Sequence, residues 1–108
     1  MERFIELIEA LNEARQNMTG LKLWLSQKEV VEYFNWKQEN EKDRTAMDKV
    51  IAQLKMQDEE WLLKESEYYQ WKNRYEYVKN VYDIASGMLN NPDNFTKDDI
   101  YSFISQAL

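Results

Sequence analysis

The chain has 108 residues, 20 acidic and 14 basic side chains for a net charge of −6, and neither Cys nor His. That inventory excludes disulfides, thiolate metal sites and Cys nucleophiles, and removes the commonest general base and metal ligand. With only two Gly and one Pro the chain can make few turns, which excludes a β-sandwich or α/β fold and leaves a few long helices.

Twenty-five residues are Leu, Ile, Val or Phe, above the roughly 20% level below which chains stay disordered. One modest core and a single helical domain over 1–108 are therefore expected. No apolar run exceeds three residues, as at Leu23–Leu25 and Trp61–Leu63. A membrane span or signal-peptide core needs a much longer run. The first residues, Met-Glu-Arg-Phe-Ile-Glu, are acidic where a signal would be basic. The expected place of action is the cytoplasm, without membrane contact.

A first helix is predicted over 2–18. Phe4, Ile5, Leu7, Ile8, Leu11 and Met18 centre on one side, and Glu2, Glu6, Glu9 and Glu13 cluster opposite within about 60°. Thr19-Gly20 offers a left-handed helix end. Ser26 with Glu29 forms a capping-box pattern, so a second helix is predicted over 27–40. Residues 37–45 hold no apolar side chain and are the best candidate for a break, although 27–86 contains no Gly or Pro. One unbroken helix over that span would be about 90 Å long, too long for a lone compact domain.

A third helix is predicted over 44–89. Met47, Leu54, Trp61, Tyr68, Tyr75, Tyr82 and Leu89 recur every seven residues, with Val50, Gln57, Lys64, Trp71, Val78 and Ala85 as the companion column. Gln57 and Lys64 make this an imperfect coiled-coil seam, one that could pair two copies as an antiparallel homodimer. Asn90-Asn91-Pro92 ends the helix. Thr96 with Asp99 opens a last one over 97–107, with Ile100, Phe103, Ile104 and Leu108 on one face. The predicted fold class is all-α: a small helical bundle built around the long helix.

Seven of the eleven Trp and Tyr fall within 61–82. Such side chains bury large rigid area and are enriched at interfaces. Trp61, Tyr68, Tyr69, Trp71, Tyr75 and Tyr77 are therefore the candidate partner-binding residues, with a bulky core as the bland alternative. Lys64, Lys72, Arg74 and Lys79 interleave with them, as in single-strand nucleic-acid binders. Glu65, Glu67 and Glu76 cancel most of that charge, so direct nucleic-acid binding is not expected. The Glu2, Glu6, Glu9 and Glu13 face could instead imitate a phosphate backbone. Its like-charge pairs four residues apart are mildly unfavourable in isolation; an ordinary solvated face is the bland reading.

No enzyme, cofactor or metal is expected. There is no Asp-x-Asp-x-Asp-Gly loop, no Glu-x-x-His pair and no Gly-rich phosphate loop. In size and helical character the chain is similar to the small secreted partners of type VII systems. It lacks their Trp-x-Gly turn and Tyr-x-x-x-Asp/Glu tail pattern; Phe95-x-x-x-Asp99 is the nearest variant. In composition alone it resembles small phage-encoded proteins of low-GC bacteria. The expected function is a non-catalytic protein that binds another protein and blocks or redirects it. A structural assembly module and an acidic DNA mimic are the alternatives.

Overall fold

The structure is a computed structural model that describes residues 2–108. Among the described residues there are four α-helices and no strand, and 84% of these residues are helical. The helices are α1 (Glu2–Glu39), α2 (Met47–Met56), α3 (Glu59–Leu89) and α4 (Lys97–Ala107). Among the described residues no helix is long and apolar enough to cross a membrane.

Two boundaries differ from those expected. Helices expected at 2–18 and 27–40 are one helix, α1. Gly20 does not have positive φ, so it supplies no left-handed cap. Gly permits a helix end without requiring one, at a cost of about 1 kcal/mol when helix continues through it. Here Leu21, Trp24 and Leu25 are half-buried just beyond it, and burying apolar area outweighs that cost. The Ser26–Glu29 pattern thus lies inside a helix, where backbone N–H groups already bond one turn back.

The second difference is a break in the helix expected over 44–89. It stops at Met56 and restarts at Glu59. Gln57 caps α2: its N–H donates to the Leu54 carbonyl at 3.2 Å, and the Asp58 N–H donates to the Lys55 carbonyl at 3.0 Å. Asp58 caps α3: its Oδ1 accepts the Trp61 N–H at 3.0 Å, and its carbonyl accepts the Leu62 N–H at 3.1 Å. Glu59 and Glu60 fill the first turn of α3, where carboxylates oppose the positive end of the helix dipole.

The connector is where the apolar side chains run out. Asn40 ends α1, its side chain donating to the Trp36 carbonyl at 2.8 Å. Asp43 then accepts from both the N–H and the hydroxyl of Thr45 at 2.8 and 2.6 Å, a turn closed by a short polar side chain. The last helix has its expected bounds. Thr96 Oγ1 accepts the Asp99 N–H at 3.1 Å while Asp99 accepts the Thr96 N–H at 2.9 Å, the reciprocal capping box.

The chain divides into two compact units. The first comprises Met1–Asn17 and Trp71–Leu108. Its core joins Leu7 and Leu11 of α1, Val78, Val81 and Ala85 of α3, and Ile100 and Ile104 of α4, with Tyr75 and Tyr82 packed against it. Helical spacing puts each set on one face. In this part of α3 the seam residues Val78, Ala85, Tyr75 and Tyr82 pack with α1 and α4 of the same chain. The second unit is Met18–Gln70. Its fully buried side chains are Val50 of α2 and Trp61 of α3. The break at Gln57-Asp58 ends the heptad register that ran from Met47, so Met47 is exposed while Trp61, two heptads on, is buried.

Candidate interaction surface

The six aromatic candidates separate. Trp61 is fully buried and offers no surface. Tyr75 is half-buried against the core of the first unit, and Tyr68 and Trp71 are half-buried. Tyr69 and Tyr77 are 53% and 47% exposed. The Tyr77 hydroxyl donates to the Ala107 carbonyl at 2.6 Å, and Tyr68 and Tyr69 meet edge to face at 5.3 Å. The aromatics point several ways because a run of neighbours on a helix must do so; a single shared surface does not result. Glu2, Glu6, Glu9 and Glu13 are all exposed, and Arg3 pairs with Glu6 at 2.9 Å.

Trp61 sits in a charged frame instead. The Lys28 ammonium lies 5.9 Å from its ring centroid and that of Lys55 5.7 Å. Lys28 also bonds Asp58 at 3.0 Å and Glu32 at 3.1 Å, and Lys55 bonds Glu65. The Asp58 and then the Glu32 carboxylate hold the Lys28 ammonium above the ordinary lysine range. The Asp58 carboxyl is held below its ordinary range, first by the Trp61 N–H that it accepts and then by Lys28. Each charge has its counter-charge, and this cluster is a clasp between α1 and the start of α3. The Trp61 Nε1 is buried without an acceptor among the described residues.

The surface that sequence reasoning missed is on α1. Leu23, Val30, Val31 and Phe34 are 59, 62, 53 and 60% exposed. On a helical projection Leu23, Val30 and Phe34 fall within about 40° of one another, with Val31 about 80° round from Leu23. Among the half-buried residues of the same segment, Leu21, Leu25, Lys28, Glu32 and Trp36 centre on the opposite side, while Tyr33 and Lys37 flank the exposed stripe. The segment thus carries apolar residues on both sides, and its own unit covers one. The signal was present in the spacing 23, 30, 34. It went unread because a boundary was drawn at Gly20 and Ser26, separating Leu23 from the others.

In the first unit, Phe4, Leu89, Phe95, Ile100 and Tyr101 line a pocket of about 290 Å³ whose one charged lining residue is Lys97. No acid–base pair faces it. Among the described residues no group of three or more Asp or Glu is placed to hold a metal ion. Set against protein families, curated proteins and solved structures, the chain matches none.

Proposed function

We propose that this protein is a non-catalytic interaction protein whose contact surface is the outer face of α1 around Leu23, Val30, Val31 and Phe34. The observation that supports the reading is their exposure, each above half. Single exposed apolar residues are ordinary; four neighbours on one side of a helix are a partner's footprint. An amphipathic helix ordinarily spends its apolar residues on one side, against its own core. Here the second apolar side contributes nothing to the fold, so its benefit lies in association. A chain that binds without chemistry acts by blocking, redirecting or assembling what it holds.

The test is capture by the tagged chain, with an untagged copy and a bacterial lysate both offered as prey. The expected result is a bound protein that is lost when Val30→Glu and Phe34→Glu are combined, with circular dichroism unchanged. A bound set that is identical for the wild type and the double variant overturns the reading.

A further inference from the structure

Resting on that reading, we infer that the occupant of the outer face of α1 is a second copy of this chain, packed antiparallel with Phe34 of one copy against Leu23 of the other. Three features of the same face lead there.

The first is charge. The chain carries −6 overall, so two copies repel at most approaches. On the segment 18–39 the carboxylates are Glu29, Glu32 and Glu39, and each lies at least about 100° from every residue of the Leu23–Val30–Phe34 stripe on a helical projection. Within about 60° of the stripe stand Thr19, Gly20, Ser26, Gln27, Lys37 and Gln38. Lys37 is the one charge among them, and its ammonium is already bonded to the Asp43 carbonyl. Two copies can meet on this face without bringing carboxylates together. A basic partner would find no anion to recognise.

The second is register. Gly20, Leu23, Gln27, Val30, Phe34 and Lys37 alternate at spacings of three and four, the a and d positions of a coiled coil. In an antiparallel pair, a of one helix faces d of the other. Centring the pair between residues 28 and 29 sets Leu23 opposite Phe34, Gln27 opposite Val30 and Gly20 opposite Lys37. Each contact joins a smaller side chain to a larger one, so the layers interdigitate. The lysine stem lies across the glycine while its ammonium keeps its exposed bond to the Asp43 carbonyl.

The third is Gly20 itself. It sits inside α1 with negative φ, and a methyl group placed on it would meet nothing within 4 Å. Nothing within the chain therefore requires glycine, whose presence weakens the helix. A neighbouring helix crossing closely at that point would favour it, since glycine lets backbones approach.

The chain has no Cys, so introduced thiols report contacts without background. Leu23→Cys and Phe34→Cys chains, mixed and mildly oxidised, are expected to join to one another far faster than either joins to its own kind. Light scattering is expected to return the mass of two chains for the wild type and of one chain for the Val30→Glu/Phe34→Glu variant, with equal helicity. Like-with-like crosslinking, or a two-chain mass that survives the double variant, overturns the proposal. A wild type that stays a single chain up to millimolar concentration also overturns it; if a lysate protein still depends on Val30 and Phe34, the interaction reading stands and only the identity of the partner falls.

Discussion

Lys28 stands 3.0 Å from Asp58, and Asp58 is the residue whose carboxylate caps α3. One carboxyl thus serves as helix cap and as counter-ion to a lysine thirty positions earlier. Asp58→Ala removes both roles and is expected to lower the melting temperature by about 5 °C or more, the range for a lost cap. Asp58→Asn keeps a cap oxygen and loses the charge, so its melting temperature is expected between the other two. A thermal series followed by circular dichroism ranks the three; equal values for wild type and alanine variant would refute the cap.

The same pair sets a pH window. The Asp58 carboxyl is depressed in the folded chain, so its contribution is complete above the unfolded value of about 3.9 and is lost as pH falls through the folded value. Lys28 is raised from 10.5, so its contribution is complete below that pH and is lost as pH rises through the raised value. Asp43, held low by the Thr45 hydroxyl and N–H, adds to the acid limb. Melting temperature is expected to fall below about pH 4, with a shallower fall in Asp58→Asn. Parallel acid limbs in the two proteins would remove Asp58 from the account.

Trp61 and Tyr69 were one class in the sequence and are opposites in the fold. Trp61→Ala empties a fully buried site and is expected to cost about 3–5 kcal/mol. Trp61→Phe keeps an aromatic ring and removes the unpaired indole N–H, so it should cost clearly less than alanine. Tyr69→Ala, at an exposed residue, is expected to stay within about 1 kcal/mol. Chemical denaturation of the three variants decides; an alanine cost at Tyr69 equal to that at Trp61 would contradict the burial.

These outcomes mark how much was legible. The all-α class followed from Gly and Pro counts. The bounds of α4 followed from Thr96, Asp99 and the Ile100–Ile104 spacing, because a capping box next to an apolar repeat is a local signal. The polar connector was equally local. The break at Asp58 was not read because an N-cap followed by two first-turn glutamates looks, as a string, like a solvated charge cluster. Gly20 acts in the other direction: as a string it reads as a stop, but a permissive residue does not impose one. The candidate surface is obscured in the same way: Leu23, one of its four residues, lies across the expected boundary from the other three. The aromatic block overstated itself because composition records how many rings there are, and only packing decides which face inward.

The two glycines make a paired prediction. Both lie inside helices, with negative φ and open space where a side chain would go. Gly87→Ala is expected to stabilise the fold by about 0.5–1 kcal/mol. Gly20→Ala is expected to do the same for the separate chain while raising the concentration at which two chains associate, because a methyl group pushes the crossing helix away. Unfolding and light scattering on the two variants measure both quantities. An association unaffected by Gly20→Ala would remove glycine from the interface.

The first unit is discontinuous, joining Leu7 and Leu11 to residues that follow Trp71. Its core cannot close until α4, with Ile100 and Ile104, has been synthesised. The second unit is an unbroken stretch, so its helices can collect around Trp61 while the rest of the chain is still emerging. During that interval Leu7 and Leu11 have no core to enter, and the exposed acidic row Glu2, Glu6, Glu9 and Glu13 shares their turns. Like charge on those turns disfavours contact between nascent chains that still expose Leu7 and Leu11.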